Sequence, residues 1–78
     1  MNLADQKFLR ALGHRIREHR ERHGWTQAEV GTRCNLHRTF IGSVERGERN
    51  LSILNLRLIA TVLRVDLAPL LAGEAKST

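Results

Sequence analysis

The residues best equipped for chemistry lie between Gln27 and Asn50, where Arg38, Thr39, Ser43, Arg46, Arg49 and Asn50 gather guanidinium, hydroxyl and amide groups in one short stretch. A guanidinium presents paired donors that match phosphate oxygens and the base edges of nucleic acid. Arg38, Thr39, Gly42, Ser43 and Arg46 are expected on the outer side of a helix whose inner side is Phe40, Ile41 and Val44. Over the whole chain 13 Lys+Arg face 8 Asp+Glu for a net charge of +5, and eleven of the thirteen are Arg. That balance points to a polyanionic partner.

Other chemistries find less support. His19 and His23 stand at i, i+4 and could chelate a transition metal, yet no third ligand is spaced to complete the site. Cys34 falls on an apolar helix position without a partnered histidine, which favours packing over thiol chemistry. The sequence has no Gly-rich phosphate loop, nucleophile elbow or paired-carboxylate cleft, and 78 residues leave little to wall off a substrate pocket. No catalytic residue, cofactor or metal ligand is expected. With 27% charged residues and no long apolar run, a membrane span is excluded, and a basic first helix without large exposed apolar side chains argues against a membrane surface. A lone cysteine and a start, Met1-Asn2-Leu3, without a secretory layout are the grounds for expecting a cytoplasmic protein.

These side chains must be held by a small core, and 41% apolar residues suffice for one domain, expected over residues 1–73 with a frayed tail at 74–78. The fold class reads as all-α, five short helices, because period-2 alternation and hairpin dipeptides are missing. Asp5 is read as the cap of a first helix, about Asp5 to His23, with Phe8, Leu12 and Ile16 on its core face, His14/Glu18 and Arg17/Glu21 as solvated pairs, Arg15 among the exposed charges, and Gly24 as its left-handed stop. Thr26-Gln27-Ala28-Glu29 is a capping box, so a two-turn second helix starts at Gln27 and ends where Asn35 tolerates left-handed angles. After a turn over Asn35 to His37, a third helix runs from Arg38 to a stop at Gly47. Ser52 caps a fourth, Ile53 to Leu63, and Asp66 a fifth that tolerates Pro69 in its first turn.

Two short helices joined by a three-residue turn, the second turned outward with small and basic side chains, fit the DNA major groove. At this point the sequence resembles the Cro and lambda-repressor-type family, the XRE-type helix-turn-helix proteins. The resemblance rests on Arg15-Ile16-Arg17 and Arg20, Gly24-Trp25-Thr26-Gln27-Ala28-Glu29-Val30, Leu36-His37-Arg38-Thr39-Phe40-Ile41, Glu45-Arg46-Gly47-Glu48-Arg49-Asn50, and Leu56, Ile59, Ala60 and Leu63. Within that family it is most similar to the controller proteins of restriction-modification systems, which share the Arg-Thr-aromatic-Ile helix. Two departures stand out: Gly31 where the family usually has Ala, at about 1 kcal/mol of helix propensity, and Asn35 where it usually has Gly.

The resemblance implies a lambda-repressor-like domain and a transcriptional regulator. It places Arg38, Thr39 and Ser43 where bases are read, with a phosphate clamp as the other reading of Arg38 and backbone or phosphate roles equally open for Thr39 and Ser43. Gln27, with the free amides at its helix start, and Arg46, Arg49 and Asn50 fall at phosphate-binding positions, against the plainer readings of a helix starter and solvated loop charge. Phe40 has two readings, core residue or aromatic leaning toward DNA. Arg20 and Glu45 are expected to form a structural ion pair, because a carboxylate on the DNA face would repel phosphate.

The partner surface follows from an excess of leucine. Ile53, Leu56, Ala60 and Leu63 make one stripe on the fourth helix, read as core, while Leu54 and Leu58 make a second; with Leu67, Leu70 and Leu71 of the fifth helix they are read as a homodimer interface. Such a dimer would present two recognition helices to double-stranded DNA about one turn apart and bind a pseudo-palindromic operator, with no small-molecule effector. The competing reading is an antitoxin-like protein that neutralises a partner protein and autoregulates through the same helix-turn-helix.

Overall fold

Capping side chains set most of the helix boundaries in the computed structural model, which describes residues 2–72. Five α-helices follow one another: α1 Leu3–Arg22, α2 Gln27–Cys34, α3 Arg38–Glu45, α4 Ile53–Leu63 and α5 Leu67–Ala72. The capping box at Thr26 and Glu29 closes in both directions, at 2.8 Å from the Thr26 N–H to Glu29 Oε1 and 3.1 Å from the Glu29 N–H to Thr26 Oγ1. Ser52 Oγ accepts from the Asn55 N–H and opens α4 where the sequence reading placed it. Asn35, at φ 58°, ends α2 in the left-handed region, and Gly24 and Gly47, at φ 75° and 74°, turn the chain after α1 and α3. Gly73 and the tail expected over 74–78 lie outside the described residues.

The first boundary differs from the sequence reading. Asn2, not Asp5, caps α1, its Oδ1 accepting from the Asp5 N–H at 2.8 Å, so the helix starts at Leu3 and Asp5 sits in its first turn. Both residue types cap helices well, and the earlier one captures the extra turn.

The core is a single cluster of Leu12, Ile16, Val30, Cys34, Ile41, Val44, Leu56, Ile59, Ala60, Leu63 and Leu70. Three expectations are corrected by it. Phe8, in the N-terminal half of α1, lies outside the cluster and stays 37% exposed. Ile53, in the opening turn of α4, is 62% exposed, while Ile59 takes the buried place on that helix. Leu70, assigned to a dimer interface, is 1% exposed and belongs to the interior of the monomer. Arg15, read as solvated, reaches the same region: its Nε donates to the Leu70 carbonyl at 2.6 Å and ties α1 to α5.

Candidate nucleic-acid interface

The third helix owes its position to groups beneath it. Arg20 Nε donates to Glu45 Oε2 at 2.7 Å and Nη2 to Glu45 Oε1 at 3.0 Å, a bidentate pair whose side chains are nearly buried. Arg20 Nη1 also donates to the Trp25 carbonyl at 2.8 Å, and Gln27 Nε2 donates to Glu45 Oε1 at 3.0 Å. One carboxylate at the C-terminal end of α3 therefore joins α1 to the first residue of α2, while Arg20 itself holds the loop between them. The hydrogen-bonded Glu45 carboxylate raises the Arg20 guanidinium above its ordinary pKa. Glu45 thus lies under the basic face rather than on it.

Two glycines let backbones meet. A Cβ on Gly13 would stand 2.3 Å from the Val44 carbonyl oxygen and 2.6 Å from that of Glu45, so α1 touches the end of α3 without a side chain between them. Gly31 does the same in α2, where a Cβ would lie 2.6 Å from the Leu36 carbonyl oxygen in the turn. The departure from the family's Ala is thus matched to the turn it packs against.

Gly42 corrects the outward face. It is buried, and a Cβ there would meet Gln27 Oε1 and Arg46 Nη1, each at 3.2 Å. The absence of a side chain lets the tips of Gln27 and Arg46 converge on one spot. Arg46 also pairs with Glu48 at 3.1 Å in a solvated bridge that a phosphate could displace.

Arg38 and Thr39 are exposed on the first turn of α3. Ser43 is half-buried; its hydroxyl donates to the Phe40 carbonyl at 2.7 Å and accepts from Arg49 Nε at 3.5 Å. Phe40 packs against the core with one part of its surface, and the Arg49 guanidinium lies 4.9 Å over its ring. Phe40 and Ser43 therefore brace Arg49. Asn50 is exposed beside Asp5, Phe8 and Leu9 of α1.

His37 received no role from the sequence, since histidine is not among the usual capping residues. It caps α3: its Nδ1 accepts from the Thr39 N–H at 3.1 Å and also meets the Thr39 hydroxyl. Elsewhere, His23 stacks on Trp25 with ring centroids 4.2 Å apart and donates through Nε2 to the Leu63 carbonyl at 2.7 Å. Its ring is engaged in packing, and among the described residues no three His, Cys, Asp or Glu gather as a metal site. Cys34 is buried, which pushes its thiol up and away from thiolate chemistry. No helix of the described residues is long and apolar enough to cross a membrane.

Comparison with known proteins agrees with this geometry. The helix-turn-helix family model HTH_3 matches residues 16–70, more than half of the chain. A hypothetical transcription factor of Neisseria meningitidis is 38% identical over 64 residues, which make up 81% of this chain and 60% of that protein, so the chain spans less than two thirds of its length. The control protein C.SmaI of Serratia marcescens is 37% identical over 81% of this chain and 75% of its own. Among solved structures, the restriction-modification controller protein C.AhdI from Aeromonas hydrophila superposes with a TM-score of 0.79 at 35% identity, covering 83% of this chain and 94% of that one.

Proposed function

The chain belongs to the helix-turn-helix family of DNA-binding transcriptional regulators, and we propose that it acts as a cytoplasmic homodimer on a pseudo-palindromic operator, in the manner of a restriction-modification controller protein. The observation that carries this reading is the exposed first turn of α3, with Arg38 and Thr39 free to enter a groove, on a helix fixed from below by Arg20, Glu45 and Gln27. Arg38 reads a guanine through two parallel hydrogen bonds, worth about 1–3 kcal/mol of discrimination. Gln27, Arg46, Arg49 and Asn50 hold phosphates on either side. The protein is a binding module and not an enzyme.

Leu54 and Leu58, 69% and 37% exposed on α4, form the centre of the dimer face, with Ile53 beside them and the half-buried Leu67 and Leu71 at its border. Occupancy follows concentration through dimerisation. The antitoxin-like reading draws no support from relatives described as control proteins or a transcription factor.

Selection from a random duplex pool at near-physiological salt, followed by sizing of the enriched complex, tests the proposal. Two half-sites with centres about ten base pairs apart and two chains per duplex are expected. Binding without enrichment would leave only the electrostatic attraction of a +5 chain and refute sequence-specific regulation.

A further inference from the structure

We infer that His37 fixes the hydrogen-bonding polarity of Thr39, making the Thr39 hydroxyl an obligate acceptor toward DNA that reads the amino group of an adenine or cytosine and cannot serve a phosphate. The inference rests on the proposed DNA-binding reading and adds to it a positioning residue and a rule of base choice.

The argument is one of proton counting. The Thr39 backbone N–H can only donate, and it points at His37 Nδ1 from 3.1 Å, so Nδ1 carries a lone pair and the ring proton sits on Nε2. The Thr39 hydroxyl meets the same Nδ1. Two lone pairs facing each other at hydrogen-bond distance would repel, so the hydroxyl supplies its own proton to Nδ1, whose single lone pair the two Thr39 donors share. What Thr39 then turns outward is its oxygen lone pairs and its methyl group.

Phosphate oxygens accept hydrogen bonds and have no proton to give, so a hydroxyl whose proton is spent on His37 has nothing to offer them. In the major groove the donors are the adenine N6 and cytosine N4 amino groups, whereas guanine O6 and N7, adenine N7 and thymine O4 all accept. The oxygen of Thr39 is therefore matched to an amino group, with its methyl left for apolar contact. Ser43 is polarised in the same way, its proton going to the Phe40 carbonyl, but one of its two lone pairs faces Arg49 and the residue is half-buried. Thr39 is the hydroxyl that keeps an open acceptor on the exposed turn.

The test uses the full chain on its selected operator and on duplexes with one functional group deleted at a time. Purine in place of adenine, or 2-pyrimidinone in place of cytosine, removes the amino group; 7-deaza purines remove N7. For the wild type, loss of the amino group at one base pair per half-site should weaken binding roughly 2- to 10-fold, the range of a net neutral hydrogen bond. Thr39→Val should be insensitive to that same deletion while responding to 7-deaza substitution as the wild type does. His37→Ala frees the hydroxyl to rotate and should reduce the amino-group effect; His37→Asn keeps a side-chain oxygen for both Thr39 donors and should restore it. Thermal melts of each variant separate a lost cap from a changed preference, because a weakened helix lowers affinity for every duplex alike. Coupling of Thr39→Val to N7 or to a phosphate neutralised by methylation would overturn the inference while leaving the proposed function standing. An amino-group effect equal in wild type and His37→Ala would do the same. Failure to select any operator would overturn both.

Discussion

The seat of α3 and the outer side of α4 are opposite in character. Beneath α3, Glu45 accepts three hydrogen bonds from two elements, and Gly13 brings two backbones into contact. On α4, Ile53, Leu54 and Leu58 stand exposed. The first region is complete within one chain and sets the angle of the recognition helix before any partner arrives. The second gains its apolar burial only when something covers it, so under the proposed function the monomer would fix how DNA is read and assembly how many helices read it.

Removing the acceptor at the seat should do the most damage. Glu45→Ala leaves the Arg20 guanidinium in its nearly buried position without its counter-charge, at a cost of about 3–5 kcal/mol measured by denaturant unfolding. A loss below about 1 kcal/mol would mean that the pair is dispensable to the seat.

The leucines sharpen the contrast between regions. Leu70→Ala should cost about 2–5 kcal/mol because its side chain fills the core. Leu54→Ser combined with Leu58→Ser should leave the stability of the separated monomer within about 1 kcal/mol and convert the proposed dimer to monomers in sedimentation. An unchanged dimer would remove these residues from the interface.

Gly31→Ala tests the packing of α2 against its turn. Helix propensity favours Ala by about 1 kcal/mol, yet the new Cβ would meet the Leu36 carbonyl at 2.6 Å, and displacing backbone costs about 1–3 kcal/mol. Net destabilisation is expected; a stabilised variant would show that the turn yields.

The smallest effect concerns acid. The Thr26 N–H holds the Glu29 carboxyl below the usual carboxylate range. Its folded value lying below its unfolded one, its stabilisation is complete above the unfolded pKa and disappears as pH falls through the folded one. Wild type should therefore exceed Glu29→Gln in stability at neutral pH and lose that advantage in acid. An advantage independent of pH would exclude the carboxylate as its source.

Local signals in the sequence were enough for much of this structure. The capping box, the left-handed Asn35, the glycine stops and the Ser52 cap are each set by a few adjacent residues, and α2 and α4 begin where those residues place them. The misplaced residues depend on what lies across the core. Periodicity identifies faces of α1 and α4 but not how far each is covered, so it does not reveal that Phe8 and Ile53 lie outside the core and Leu70 inside it. Gly42 resembles an exposed small residue until Gln27 and Arg46 are seen to meet over it. The cap at His37 needed side-chain geometry, since residue type alone does not suggest it.

We propose that α3 reads sequence while its flanks read charge. Affinities of wild type, Arg38→Ala and Arg49→Ala for the selected operator and for random duplex, across a range of salt, decide between these roles. Arg38→Ala should lose about 1–3 kcal/mol on the operator and much less on random DNA, and Arg49→Ala should weaken both alike and flatten the log–log salt dependence by about one unit. Equal loss on both duplexes for Arg38→Ala would show that α3 does not read sequence through this residue.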